Sequence, residues 1–213
     1  MVNIKLKNRV QKTISILKKQ HSKGTSLKFG SVFQLAISVS LSAQCTDKRV
    51  NIVTKELFKK YKTPIDFVNV SQKELEKMIY STGFYKAKAK NLKAMAKIVH
   101  EKHKDKIPSN MPALLELPGV ARKTANIILS EGFGIIEGIA VDTHVKRISN
   151  RLVFTKSQNP KIIEQDLMKL VSRKDWFNIN HLFVWHGREV CYARKPNCKE
   201  CKLNKICPSS FKF

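Results

Sequence analysis

The chain has 213 residues, 42% of them apolar, enough for a buried core in one large or two small domains. Its 41 Lys and Arg against 16 Asp and Glu leave a formal charge of +25, and no acidic residue precedes Asp47. An excess of that size, spread along the whole length, points to a polyanionic partner, nucleic acid first. No apolar run is long enough for a membrane span and no signal-peptide pattern is present, so a soluble cytoplasmic protein with reduced or metal-bound cysteines is expected.

In chain order, residues 1–24 read as a basic amphipathic helix ending near Gly24, with Val10, Ile14 and Leu17 on its apolar face. Phe33, Leu35, Ile37, Val39 and Leu41 then alternate with Gln34, Ala36, Ser38, Ser40 and Ser42, which is the period of a strand. Nothing else in the chain alternates in this way, and a strand without a partner is not a stable unit. A buried helix is therefore expected against the periodicity. Ser71 with Glu74 forms a capping box ahead of Leu75, Met78 and Ile79. Another helix follows Tyr85, with Leu92, Met95, Ala96 and Val99 inward and Lys86, Lys88, Lys90, Lys93 and Lys97 over the rest.

Asn110 and Pro112 start a short helix, and Leu117-Pro118-Gly119-Val120 is a tight turn, with proline fixing one φ and glycine supplying a positive one. Thr124, Ile127 and Ile128 recur at helical spacing after it. Two helices joined by such a turn aim the amides of the second outward, where they suit a phosphate, and Arg122 and Lys123 lie on its first turn. Asp142 reads as the N-cap of a helix carrying Val145, Ile148, Ser149 and Leu152 on one face. Asn159-Pro160 opens a last helix with Ile163, Leu167 and Leu170 inward. With no repeat and no linker, the fold class is all-α. Cys191, Cys198, Cys201 and Cys207 cluster near the C-terminus, which favours a metal, and their spacing leaves zinc and iron–sulfur both open. Cys45 stands apart as a small packed residue.

Taken together, these motifs resemble the endonuclease III family of DNA base-excision glycosylases. The resemblance is carried by Leu117-Pro118-Gly119-Val120 with Lys123, by Val141-Asp142-Thr143-His144, by Leu41-Ser42-Ala43-Gln44, by Gly83-Phe84-Tyr85 and by the C-terminal cysteines. It implies two helical domains with a cleft between them: a helical barrel with the helix-hairpin-helix over 25–135, and an iron–sulfur domain built from 1–24 and 136–213. It implies a monomeric, nucleoid-associated enzyme of base excision repair, a bifunctional DNA glycosylase and abasic-site lyase removing oxidised pyrimidines from double-stranded DNA.

In that frame Lys123 is the nucleophile, and its amine in the neutral form attacks the anomeric carbon. Asp142 stabilises the cationic sugar and assists proton transfer. The four C-terminal cysteines hold a [4Fe–4S] cluster and present Arg194 and Lys195 to a DNA phosphate. Gly119 and Arg122 contact DNA through the hairpin, and Gln44 and Phe84 fill the space left by the flipped nucleotide. Many relatives carry leucine where this chain has Phe84, and a buried aromatic is the other reading of that residue. Rival readings are the same lyase chemistry on uracil or an oxidised purine, a non-catalytic helix-hairpin-helix DNA binder, and an iron–sulfur redox regulator on DNA. With six residues following Cys207, the added recognition domain of the related adenine glycosylases is not expected.

Overall fold

The computed structural model describes residues 4–21 and 26–212, and every regular element among them is helical. In chain order the α-helices are α1 (Ile4–Gln20), α2 (Val32–Leu41), α3 (Asp47–Lys60), α4 (Pro64–Asn69), α5 (Gln72–Ile79) and α6 (Tyr85–His103). They continue as α7 (Met111–Leu115), α8 (Arg122–Ile127), α9 (Thr143–Arg151), α10 (Pro160–Leu170) and α11 (Trp176–Glu189). None of the described helices is long and apolar enough to cross a membrane. The chain divides into two compact units, Thr25–Glu137 and a second that joins Met1–Gly24 to Gly138–Phe213.

In the unit Thr25–Glu137, α2 is the central helix. Phe33, Leu35, Ala36, Ile37, Ser38, Val39 and Leu41 are all buried, so the helix is enclosed on nearly every side. An enclosed helix has no polar face to set a helical period, and its apparent alternation is incidental. Around it pack Leu57, Phe67, Leu75, Ile79, Leu92, Met95 and Leu114, with Phe33 and Phe67 meeting edge to face at 5.3 Å. Ser31 caps α2 by accepting from the Gln34 amide at 3.2 Å. Ser71 likewise accepts from the Glu74 amide at 3.1 Å. The Glu74 carboxylate accepts from the Tyr61 hydroxyl at 2.6 Å, so it serves the contact between α5 and the end of α3.

Two lysines of α6 depart from the solvated face expected of them. Lys88 is buried, and half-buried Lys93 donates to the carbonyls of Val68, at 2.8 Å, and Val70 at the end of α4. After α8 the chain widens into a π-helical turn, Ile128–Gly132. The buried face of this run is Ala125, Asn126, Ile128 and Leu129, while Thr124 and Ile127 are only half-buried. At the end of the turn Gly132 lies against α2, and a β-carbon there would come within 2.8 Å of Val32 Cγ1.

In the second unit α1 buries Val10, Ile14 and Leu17 among Val145, Ile148, Ile163, Leu167, Ile179, Phe183 and Leu203. The helix stops at Gln20; Gly24, the expected stop, lies outside the described residues. Asn159 caps α10 through the Lys161 amide at 2.9 Å, with Pro160 at its first position. Lys18 pairs with buried Asp175 at 2.5 Å, tying α1 to the start of α11.

The closeness of α2 to Gly132 makes a test of this packing. Overfilling a close-packed contact costs about 1–3 kcal/mol, so Gly132→Ala should lower the melting temperature, and adding Val32→Ala should recover part of the loss.

Candidate functional site

The hairpin is built as its residues demand. Asn110 accepts from the Ala113 amide at 3.0 Å and opens α7. The Val120 amide donates to the Leu117 carbonyl at 3.0 Å across Pro118 and Gly119. Gly119 has φ +80, the third position of a type II turn. A β-carbon at Gly119 would also press on the Asn91 side chain at 3.3 Å. Leu117 and Val120 are buried and anchor the turn in the core. Arg122 and Lys123 stand exposed on the first turn of α8, so the amine of Lys123 is open to a large substrate.

In the same unit the two expected gap-filling residues share an uncommon conformation, one also taken by Lys104 and Asp105. Gln44 has φ 53 and Phe84 has φ 50, both left-handed and neither a glycine. Both are exposed, Phe84 to 67%. This exposure removes the buried-aromatic reading of Phe84. Half-buried Cys45 lies beside the first tip, its Sγ 3.8 Å from the Thr46 carbonyl.

In the other unit Asp142 is the N-cap of α9. Its Oδ1 accepts from the Val145 amide at 2.8 Å, which fixes the carboxylate against the helix start. Lys123 and Asp142 thus belong to different units of the chain.

Cys191, Cys198, Cys201 and Cys207 line one recess of about 400 Å³, counting the space open to solvent, together with Ile148, Leu152, Val190 and Leu203. Burial pushes the Cys201 thiol up to about 11, and its neighbours Cys191, Cys207 and Cys198 add to the shift against one bond from the Leu203 amide. Burial raises Cys207 as well. Thiols so placed ionise readily only around a cation, which is what a metal centre supplies. Among the described residues no three Cys, His, Asp or Glu side chains converge on the position of a single ion. Arg194 and Lys195 are exposed on the loop between the first two cysteines.

Comparison with known proteins accords with this geometry. The family model of the HhH-GPD superfamily of base excision DNA repair proteins matches residues 37–173. Endonuclease III of Synechocystis sp. is 47% identical over 205 residues, 96% of this chain and 94% of that protein. The chain belongs to the endonuclease III family. Endonuclease III of Bacillus subtilis is 44% identical over 176 residues, covering 82% and 80% of the two chains. The solved structure of a trapped endonuclease III–DNA covalent intermediate, an estranged-adenine complex, matches with a TM-score of 0.92 at 38% identity, over 100% of this chain and 99% of that one.

Around the family's motifs stand residues that the sequence reading passed over. Arg151 donates to Cys191 Sγ at 3.1 Å, to the Tyr192 carbonyl at 2.7 Å and to the Ala193 carbonyl at 3.0 Å. Arg147, one turn earlier, donates to the Cys191 carbonyl at 3.0 Å and the Gly187 carbonyl at 3.2 Å. Their i, i+4 spacing on a helix beside the cysteine segment was the one signal available. Buried His186 lies 3.7 Å from Cys201 Sγ through Nε2. Burial first, then the charges of His21 and Arg147, lower its pKa to about 4 and keep it neutral.

The cap bond of Asp142 separates its structural role from its chemistry. Losing an N-cap side chain costs about 0.5–2 kcal/mol, so Asp142→Ala should lower the melting temperature. Asp142→Asn keeps an acceptor and should melt close to the unmodified protein.

Proposed function

We propose that this chain is a DNA glycosylase and abasic-site lyase that removes oxidised pyrimidines from duplex DNA. The observation that carries the reading is the exposed amine of Lys123 on the hairpin helix. It stands in a chain that shares both sequence and fold with endonuclease III in its covalent complex with DNA. The unit Thr25–Glu137 serves as the hairpin-bearing barrel, and the discontinuous unit as the cluster domain. The partner is double-stranded DNA holding a damaged base or an abasic site, and the enzyme acts as a nucleoid-associated monomer.

The amine of Lys123 attacks the anomeric carbon of the flipped nucleotide. A new C–N bond forms, the glycosidic bond breaks, and its electron pair leaves with the base, which takes up a proton. The attached nitrogen gives up one proton and the ring oxygen takes one up as the sugar ring opens, leaving a protonated Schiff base between Lys123 and the sugar. That cation acidifies the neighbouring sugar hydrogen; its removal expels the 3′ phosphate by β-elimination and nicks the strand. Asp142 stabilises the cationic sugar as the base departs and assists proton transfer at Lys123. One of its oxygens is held by the Val145 amide, so the carboxylate meets the charge already oriented. Gly119 and Arg122 bring the hairpin amides and a cation to the backbone phosphates, and Arg194 and Lys195 do so from the cysteine loop.

Cys191, Cys198, Cys201 and Cys207 would hold a [4Fe–4S] cluster, which when bound closes the 191–207 segment through four thiolate links. Arg151 and Arg147, which grip Cys191 and its neighbours, offset the negative charge of such a centre.

Borohydride should trap the protein on an abasic-site or oxidised-pyrimidine duplex, and Lys123→Gln should abolish the adduct. An adduct and a nicking rate equal to the unmodified enzyme's would remove Lys123 from the mechanism. The purified protein should be brown, with about four irons per chain. Stoichiometric zinc without iron in anaerobically prepared protein would overturn the cluster assignment.

A further inference from the structure

Lys88 lies on the first turn of α6, where its sequence neighbours are solvated lysines, yet it is only 8% exposed. Its Nζ donates three hydrogen bonds, each of 2.8 Å, to the carbonyls of Leu41, Ala43 and Thr82. An ammonium has three donors, and all three are used. Burial lowers the pKa of this amine, with the Cys45 thiol acting in the opposite sense.

The three acceptors are not a random set. Leu41 is the last residue of α2, and Thr82 the last of a short 3-10 turn, Tyr80–Thr82. Both are carbonyls at helix ends, the negative pole that a cation satisfies. Ala43 immediately precedes Gln44, and Thr82 is followed by Gly83 at φ 70 and Phe84 at φ 50. Left-handed backbone at residues other than glycine persists only where the surroundings over-determine it. Here one buried ammonium holds the roots of both left-handed, exposed tips, and holds them to each other.

We propose that Lys88 is a positioning residue for damage recognition, setting Gln44 and Phe84 side by side as one rigid wedge for the gap left by the flipped nucleotide. This rests on the reading of those two residues as the wedge. The wedge must be in place before the duplex closes again, and two independently mobile loops would lose the advantage of acting together. Clamping both to α6 removes that freedom in advance. No group on Lys88 touches DNA; its effect passes through the two tips.

The test compares Lys88→Met, Phe84→Ala with Gln44→Ala, and all three changes combined. Each is assayed on a fully paired oxidised-pyrimidine duplex and on a single-stranded abasic site. Where the base is already unpaired, a wedge has little to do. Lys88→Met should slow the paired substrate by about tenfold to a hundredfold, the share carried by one aromatic–base stack, and the single strand much less. In the combined variant Lys88→Met should add little further loss. If Gln44→Ala with Phe84→Ala hits both substrates alike, the wedge reading itself fails. If that pair shows the expected preference but Lys88→Met slows both substrates equally, or adds its full effect in the combined variant, the positioning role is overturned. Should Lys88→Met not fold, Lys88→Arg carries the same comparison, since it keeps the charge and donors while displacing the carbonyls they hold. A selective loss on the paired duplex supports the proposal, and an unselective loss or none overturns it.

Discussion

An all-helical chain of short elements is constrained above all by its helix ends. Each helix leaves amides without partners at its start and carbonyls at its finish, and these cannot be buried unmatched. Here the starts are closed by short polar side chains. Ser31, Asn110, Asp142 and Asn159 each accept from an amide two or three residues ahead. Several finishes and the turns near them are closed by long cationic side chains reaching across from another element. Lys88 takes the end of α2, Lys93 the end of α4, and Arg147 and Arg151 the carbonyls that follow α11. The positions of the hairpin, the loop tips and the cysteine segment all follow from these closures.

The same constraint changes the meaning of the charge. A formal +25 suggests a surface prepared for DNA. Part of that excess is internal, because Lys88 is buried, and Lys93, Arg147 and Arg151 are committed to carbonyls inside their own units. Lysine serves where one atom must meet several oxygens, as at Lys88. Arginine serves where a planar fork must span a carbonyl and a sulfur, as Arg151 does at Tyr192 and Cys191. What stands exposed, including Lys123, Arg194 and Lys195, is the part that can meet a polyanion.

Glycine and left-handed backbone mark where the helices give way to function. Gly119 turns the hairpin and sets Lys123 at an open helix start, while Gln44 and Phe84 take left-handed conformations without being glycine. Strain of that kind costs about 1–3 kcal/mol at each residue. Lys104, Asp105, Val153, Lys195 and Phe211 share that conformation, so what sets Gln44 and Phe84 apart is the buried ammonium beneath both.

Much of this was legible in the residues alone. The Leu-Pro-Gly-Val turn, the caps at Asn110, Asp142 and Asn159, and the buried face of α1 are local, and local chemistry settles them whatever lies around. The four cysteines are likewise close in sequence, and the structure gathers them in one recess. For α2 the periodicity pointed to a strand; an enclosed helix carries no amphipathic signal, and only the family resemblance and the lack of a partner strand argued otherwise. The buried lysine was invisible for the opposite reason. Lys88 sits among Lys86, Lys90 and Lys93 with nothing in its spacing to distinguish it. Its partners lie up to 47 residues away, at carbonyls that every residue type possesses. A side chain that recognises backbone leaves no pattern in the sequence, so only the tertiary structure could decide which lysines hold the fold and which are left for DNA.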